Sequence, residues 1–159
     1  MWYVCTYHYL YGVDVAFKKI AVSATTTASC DEVYRLLLDR DETLKWSPMT
    51  VCEVHKPAPD GVPDSVGEVR RQVMGRNTGY DTLVELVPGK RYVYTNEGLP
   101  MLDYRGTVEL TPTDDGGCHI DWSSRFRPKY VGTGWLFAAG MRRNLQKFAD
   151  GLAAYAAKS

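Results

Sequence analysis

The side chains of this 159-residue chain that could do chemistry are dispersed along it. The three histidines, His8, His55 and His119, lie far apart, and no group of His, Cys, Asp or Glu has the spacing of a metal site. The chain also has no G-x-S-x-G, G-x-G-x-x-G or P-loop motif. The sequence therefore offers no specific catalytic set, and we expect neither a metal nor a cofactor.

One arginine and two tyrosines remain as candidates for polar groups inside the protein. Alternation along a strand puts Arg71 on the face of Val69 and Val73, which would turn it inward, where an arginine must pair or face a ligand anion. A register shift of one residue would instead turn Arg71 to solvent. Tyr80 and Tyr94 could place hydroxyl groups in the same space, where they would hydrogen-bond a carbonyl or phenol and steer an enolate.

Large side chains on faces that should point inward form a second group of candidates. Plain core packing accounts for each of them taken singly, whereas together they describe either a solid core or the wall of a pocket. An apolar pocket with a few placed polar groups is the usual form of a small-molecule site. These candidates are Trp46, Met49, Tyr104, Trp122, Phe126, Trp135, Phe137 and Met141.

The last segment, Trp135 to Ala157, must position many of these groups. Its apolar residues recur at steps of three and four, which predicts an amphipathic helix with one apolar stripe. At 1.5 Å per residue, the segment would reach roughly 34 Å, about the width of a small domain. Its first part, Trp135 to Met141, has no charged residue and follows a hinge predicted at Val131 to Gly134.

The segments before this helix predict one strand, two short helices and about six antiparallel strands. Phe17 to Ala28 is rich in β-branched residues, and the S-x-x-E sequence from Ser29 to Glu32 is a capping box that begins a helix. A second helical piece, Thr43 to Trp46, must end before Pro48. The later strands are predicted at Met49 to His55, Gly67 to Gly75, Tyr80 to Val87, Arg91 to Asn96, Asp103 to Thr111 and Cys118 to Arg127.

The last two of these strands form the clearest hairpin, around the turn from Asp114 to Gly117. One face of the hairpin carries apolar side chains such as Val108 and Trp122, and the other carries charged ones such as Arg105 and Arg125. This pattern is typical of an antiparallel sheet covered on one side. The fold class that follows is α+β, with the sheet curved round the final helix.

Size and charge limit the function classes. The length favours a single domain over residues 1–159. Acidic and basic residues balance at nineteen each, so no net field indicates nucleic acid or an anionic membrane as a partner. Four dispersed cysteines without a CxxC motif favour a reduced, cytoplasmic setting, although a disulfide stays open. The sequence also leaves open whether the protein forms a homodimer.

The N-terminal segment, Met1 to Val15, is aromatic and apolar but lacks the features of a signal peptide. It is also too short and too polar to span a bilayer, so we expect no stable membrane insertion. Two interpretations stay open, an extra edge strand or arm that packs on the domain, or a leader upstream of the fold. We prefer the first, because so many aromatic side chains left in water would favour association.

The order of elements resembles the helix-grip or START-like superfamily, also called Bet v 1-like, and within it the bacterial polyketide cyclase/dehydrase (SRPBCC) group. The resemblance covers about Phe17 to Ala157, with residues 1–16 outside it. It implies a curved antiparallel sheet of about six to seven strands round a long C-terminal helix, with two short helices after the first strand. Its signatures are Trp46-Ser47-Pro48-Met49, Gly67-Glu68-Val69-Arg70, Gly98-Leu99-Pro100, Asp103-Tyr104-Arg105-Gly106, Val108-Glu109-Leu110-Thr111-Pro112, Ile120-Asp121-Trp122 and Gly151-Leu152.

The resemblance implies a cavity between the sheet and the long helix, which in relatives holds lipids, sterols, polyketides, quinones or other apolar molecules. In relatives the entrance to this cavity lies at the hinge before the helix, so we expect Trp135 to Met141 to contact ligand and to move to admit it. Binding or transport of a hydrophobic small molecule is therefore the first hypothesis. The alternative is a polyketide aromatase/cyclase or dehydratase with Tyr80, Tyr94 and Arg71 as positioning groups, so the sequence leaves open whether the protein is an enzyme. A third hypothesis is a protein-interaction module with an exposed apolar patch. The fold alone does not decide among them.

Overall fold

The computed structural model describes residues 16–129, 132 and 134–159. The predicted N-terminal arm or strand, Met1 to Val15, lies outside the described residues, as do three residues of the segment before the last helix, Tyr130, Val131 and Thr133. The elements follow the predicted order. They are β1 (Lys18–Thr26), α1 (Cys30–Leu38), α2 (Arg40–Trp46), β2 (Val51–Lys56), β3 (Val69–Met74), β4 (Asn77–Val87), β5 (Arg91–Glu97), β6 (Met101–Pro112), β7 (Cys118–Pro128) and α3 (Gly134–Ala156).

These strands form an antiparallel sheet of seven, in the order β1-β7-β6-β5-β4-β3-β2. The first strand thus lies beside the last, and α1 and α2 carry the chain from one edge of the sheet to the other. The helix α3 packs on one face of the sheet, mainly against β1 and β7. The predicted α+β class, with an antiparallel sheet and a long C-terminal helix, is confirmed.

The two short helices begin where side chains cap their first turns. The hydroxyl of Ser29 accepts a hydrogen bond from the backbone N–H of Glu32 at 3.3 Å, as the capping box predicts. Asp39 caps α2, because its carboxylate accepts the backbone N–H groups of Asp41 and Glu42, both at 3.0 Å. The second helix therefore begins at Arg40 instead of Thr43, and the charged stretch forms its first turn.

The hairpin of β3 and β4 is tighter than predicted. Met74 pairs with Asn77, so the turn contains only Gly75 and Arg76, and Gly75 has a φ of 59°, a conformation that glycine adopts without strain. The strand β4 consequently begins at Asn77 instead of Tyr80. A bulge at Val84 then shifts the alternation of β4 by one residue.

The two halves of α3 are packed differently. Its second half buries Leu145, Phe148 and Leu152 in the core, whereas Trp135 and Leu136 in the first turn are 72% and 60% exposed. The first half of α3 therefore covers the sheet without filling the space below it, and that space is the candidate site.

No helix in the described part of the chain is long and apolar enough to cross a membrane.

Candidate functional site

A cavity of about 470 Å³ lies between the inner face of the sheet and the first half of α3. One side of it is an aromatic cluster in which the ring centroids of Trp46 and Trp122 are 6.4 Å apart. Phe148 of α3 packs against both indoles, at 6.2 and 5.7 Å. Such a wall offers a large apolar surface to a ligand.

A second part of the cavity wall, the polar end, carries hydrogen-bonding groups. Arg70, Asp81, Asn96 and Tyr104 are cross-strand neighbours on β3, β4, β5 and β6, so their side chains form a row across the sheet. The amide Nδ2 of Asn96 donates to Oδ1 of Asp81 at 2.6 Å, while the buried Oδ1 of Asn96 has no hydrogen-bond partner. Gly79 makes room for this amide, because a Cβ there would lie 2.7 Å from Asn96 Nδ2. We call these four cross-strand neighbours the polar row.

The arginine of the polar row is almost fully buried, with 1% of its surface exposed. Its Nε donates to Oε1 of Glu68 and its Nη2 to Oδ1 of Asp64, both at 2.8 Å. Arg40 contacts the same two carboxylates, at 2.8 Å to Asp64 and 3.2 Å to Glu68. Burial raises the pKa of Glu68, but the hydrogen bonds from Arg70 and the Asp64 backbone outweigh it, so the pKa lies below its ordinary value. The positive charges of the two arginines thus cancel the negative charges of the two carboxylates.

The carboxyl group of Asp81 is not one of these paired charges. Burial raises its pKa from 3.8 to about 7, although the amide of Asn96, the charge of Arg70 and the amide of Gln72 act in the opposite direction. Near neutral pH the group is therefore present both as a carboxylate and as a carboxylic acid. In either form it can accept a hydrogen bond from a molecule in the cavity.

Buried hydroxyl groups continue the polar row as a chain of hydrogen bonds. Trp122 Nε1–H donates to the hydroxyl of Tyr94 at 3.1 Å. The Tyr94 hydroxyl lies 3.2 Å from the hydroxyl of Tyr104, and the Tyr104 hydroxyl lies 2.7 Å from Ser124 Oγ. The ring of Tyr94 lies over Gly106, where a Cβ would be 2.3 Å from its Cζ. Burial raises the pKa of Tyr94 well above its ordinary value and that of Tyr104 to about 12, so both phenols stay neutral.

The structure brings seven of the eleven predicted site residues to the cavity wall and places four elsewhere. The seven are Trp46, Met49, Tyr94, Tyr104, Trp122, Phe137 and Met141. The four are Arg71 and Tyr80 on the outer face of the sheet, Phe126 in the core and Trp135 at the surface. The aromatic side of the cavity was therefore largely predicted, whereas the polar end was not.

The predicted orientation of Arg71 is wrong by one residue. Arg71 lies on the outer face beside its cross-strand partner Tyr80, and its Nη1 bonds Glu53 at 2.9 Å. The valines Val69 and Val73 share this outer face and are half-buried there, so β3 turns its more polar side to the cavity. Arg70 takes the inward position that was expected of Arg71.

The predicted inward orientation of Tyr80 is wrong for a related reason. The bulge at Val84 reverses the alternation, so Gly79, Asp81 and Leu83 face inward and Tyr80 faces outward. The ring of Tyr80 packs instead against His55, with 4.8 Å between the ring centroids.

The other two residues that do not line the cavity have different positions. Phe126 on β7 is fully buried and belongs to the hydrophobic core. Trp135 lies outside the stripe by which α3 faces the cavity. That stripe consists of Leu136, Phe137, Gly140, Met141, Asn144, Leu145 and Phe148.

Sequence reasoning missed Arg70, Asp81 and Asn96. One signal could have found Asp81, because Leu83 is a strong core residue and its strand neighbours of the same parity are Gly79 and Asp81.

Within residues 16–129, 132 and 134–159, no group of three or more His, Cys, Asp or Glu could hold a metal ion. The polar row is suited to hydrogen bonding and proton transfer.

Comparison with known families agrees with this architecture. The model of a family described as polyketide cyclase/dehydrase and lipid transport matches residues 18–157. The chain belongs to this family. No match was found among curated proteins. The family assignment, including its SRPBCC grouping, confirms the resemblance that the sequence signatures indicated.

Solved structures of other proteins share the fold. A START superfamily protein from Mycobacterium smegmatis is 13% identical, with a TM-score of 0.74 over 88% of this chain and 97% of that one. The Zhui aromatase/cyclase from a Streptomyces species is 16% identical, with a TM-score of 0.71 over 89% and 94%. Truncated norcoclaurine synthase from Thalictrum flavum is 13% identical, with a TM-score of 0.73 over 94% and 99%. These likenesses confirm the helix-grip fold and do not extend to activity.

Proposed function

We propose that this protein binds and carries a hydrophobic small molecule, such as a lipid or a polyketide, in the cavity between the sheet and α3. The observation that supports this most is the cavity itself, because about 470 Å³ lies within the range of small-molecule sites. Its walls are mainly apolar, so a ligand would bury its apolar body against Trp46, Trp122 and Phe148. The family description, which includes lipid transport, is consistent with a carrier.

Gly140 offers a way to close this cavity without disturbing the core. It lines the cavity from α3, and a Cβ added there would meet no atom within 4 Å. Replacing a glycine within a helix also removes a cost of roughly 0.5–1 kcal/mol. We therefore expect Gly140→Leu to fill part of the cavity while the fold stays at least as stable.

The test is a titration of wild-type protein with an uncharged apolar dye such as Nile red, followed by dye fluorescence. We expect saturable binding by the wild type and binding weaker by tenfold or more for Gly140→Leu. Ala139→Leu is the matched control, because Ala139 is exposed on α3 and does not line the cavity. Failure of the wild type to bind the dye, or equal binding by both variants, would contradict the proposed site.

A second candidate function is catalysis in the same cavity by a polyketide aromatase/cyclase or dehydratase. The observation that favours it is a buried carboxyl group, Asp81, whose pKa of about 7 suits a general base near neutral pH. The Asp81 carboxylate would remove a proton from an activated methylene group. The hydroxyl of Tyr104 would turn away from Ser124 to stabilise the enolate oxygen. The proton would then return to a departing hydroxyl group, which leaves as water.

In this second candidate, Asp81 and Tyr104 take the roles that were expected of Arg71 and Tyr80. Those two residues face away from the cavity. It predicts that the wild-type protein turns over a poly-β-ketone surrogate and that Asp81→Asn binds the surrogate but does not convert it. A wild-type protein that binds such a surrogate without converting it would leave carriage as the function.

A further inference from the structure

The polar end of the cavity contains a hydrogen-bond acceptor without a donor. Oδ1 of Asn96 is buried and unpartnered, although the Nδ2 of the same amide donates to Asp81. An unsatisfied buried polar atom is destabilising, and such atoms are rare in folded proteins. The carboxyl oxygens of Asp81 stand beside it at the cavity wall. Two neighbouring groups in the cavity thus present acceptors.

The charge of the polar end does not favour an anion. Arg70 uses its Nε and Nη2 on Glu68 and Asp64, and Arg40 shares the same carboxylates. These four charges cancel, so ionised Asp81 makes the sum of the five groups −1, from two arginines and three carboxylates. A ligand carboxylate would approach a group of net negative charge and would find the guanidinium of Arg70 already bridged to two carboxylates.

The hydroxyl groups of the tyrosines are also engaged. Tyr94 receives the indole N–H of Trp122, and the contacts from Tyr94 to Tyr104 and from Tyr104 to Ser124 complete the chain. A ligand acceptor would have to break this chain to obtain a donor from it. A ligand donor would break no hydrogen bond at Asn96 Oδ1, although this atom is covered by the wall and a local shift must expose it.

We propose that the ligand presents a neutral hydroxyl group, as an apolar alcohol or phenol, to Asp81 and Asn96. This inference rests on the proposed function, because it specifies the polar group of the molecule that occupies the cavity. The hydroxyl proton bonds the Asp81 carboxyl oxygen or Asn96 Oδ1, and the apolar body extends toward Trp122 and α3. One hydrogen-bond donor on an otherwise apolar molecule is then the feature that the cavity selects.

Three matched probes test this selection: naphthol, its methyl ether, and the naphthoate anion. They share an aromatic body and differ in whether they present a donor, only an acceptor, or a negative charge. We expect calorimetric titrations at about pH 7 to show naphthol bound about tenfold or more tightly than the ether, as one hydrogen bond to a charged group allows. Naphthoate should bind more weakly than naphthol.

Two variants link the preference to the polar row. Asp81→Leu should reduce the preference for naphthol over its ether severalfold, whereas Asp121→Leu, which removes an exposed carboxylate from the outer face, should leave it unchanged. The wild-type ranking decides the inference even where Asp81→Leu folds poorly. Equal binding of naphthol and ether overturns the inference and leaves the proposed function standing. Tighter binding of naphthoate also overturns it, and binding of no probe overturns both.

Discussion

Replacing Asp81 by Asn should stabilise the protein at about pH 8 and leave its stability almost unchanged at about pH 4. The carboxyl group is 5% exposed, and burial raises its pKa from 3.8 to about 7. Below about pH 4 the carboxyl is protonated in both the folded and the unfolded chain. As the pH rises from about 4 to about 7, the unfolded chain releases this proton first, so the folded state loses stability relative to it.

The size of the effect follows from the pKa difference. A pKa of about 7 against 3.8 corresponds to roughly 4 kcal/mol of stability lost by pH values above about 7. The attractions of the carboxylate to Arg70 and to the Asn96 amide are already contained in this pKa, so they are not subtracted again. Asparagine does not titrate, so we expect Asp81→Asn to be more stable than wild type by roughly 4 kcal/mol at about pH 8. For a chain of this size that is a rise in Tm of about 8–16 °C.

Urea unfolding of the wild type and of Asp81→Asn, followed by circular dichroism between about pH 4 and about pH 8, gives the free energy of unfolding at each pH. Other titrating groups are common to both proteins, so they cancel in the difference between the two curves. Asp121→Asn, which removes a carboxylate on the exposed outer face, is the control and should give a difference near zero throughout.

The reasoning is refuted if the curves of wild type and Asp81→Asn run parallel across this pH range. It is also refuted if the variant is less stable at about pH 8 than at about pH 4, relative to wild type. Either result would mean that Asp81 is ionised in the folded protein at least as readily as in the unfolded chain.

Three further predictions concern other parts of the site. Amide exchange should be faster in Gly134 to Met141 than in Leu145 to Ala156, because the first half of α3 buries fewer side chains; equal rates with and without ligand would exclude a moving lid. Arg70→Met should lower the free energy of unfolding by roughly 3–5 kcal/mol, since it leaves the buried carboxylate of Glu68 with only the longer contact to Arg40. Arg71→Met should cost less than about 1 kcal/mol in the same urea assay, and similar losses would contradict the assignment of the inward arginine. Gly106→Ala should lower Tm and change the near-ultraviolet circular dichroism of the tyrosines, because the added methyl group would displace the ring of Tyr94. An unchanged spectrum would contradict that packing.

The sequence predicted those parts of the fold that local chemistry specifies. The cap at Ser29 and the hairpin of β6 and β7 follow from side-chain hydrogen bonding and from regular alternation, and both are found. The helix α3 was predicted because its apolar residues recur at a helical period. The start of α2 was predicted three residues too late, because the capping role of Asp39 was not recognised behind a run of charges.

The polar end of the cavity could not be predicted by the same reasoning. Alternation assumes that apolar side chains face inward, whereas β3 turns Arg70 inward and its valines outward. In β4, the bulge at Val84 decides whether Tyr80 or Asp81 faces the cavity. Alternation counted from Leu86 turns Tyr80 inward, whereas alternation counted from Leu83 turns Asp81 inward, so the residue pattern alone supports both. Local patterns are expected to fail where function requires buried polar groups, and these strands form that part of the cavity.

The central claim is that an apolar molecule binds between the sheet and α3, and the indole N–H signals of tryptophan test it most directly. Trp46 and Trp122 line the cavity, whereas Trp135 is exposed and does not. We predict that titration with naphthol shifts the nitrogen–proton resonances of Trp46 and Trp122 saturably at one ligand per chain and leaves that of Trp135 nearly unchanged. A shift of Trp135 alone, or no saturable shift of the two cavity indoles, would contradict the account.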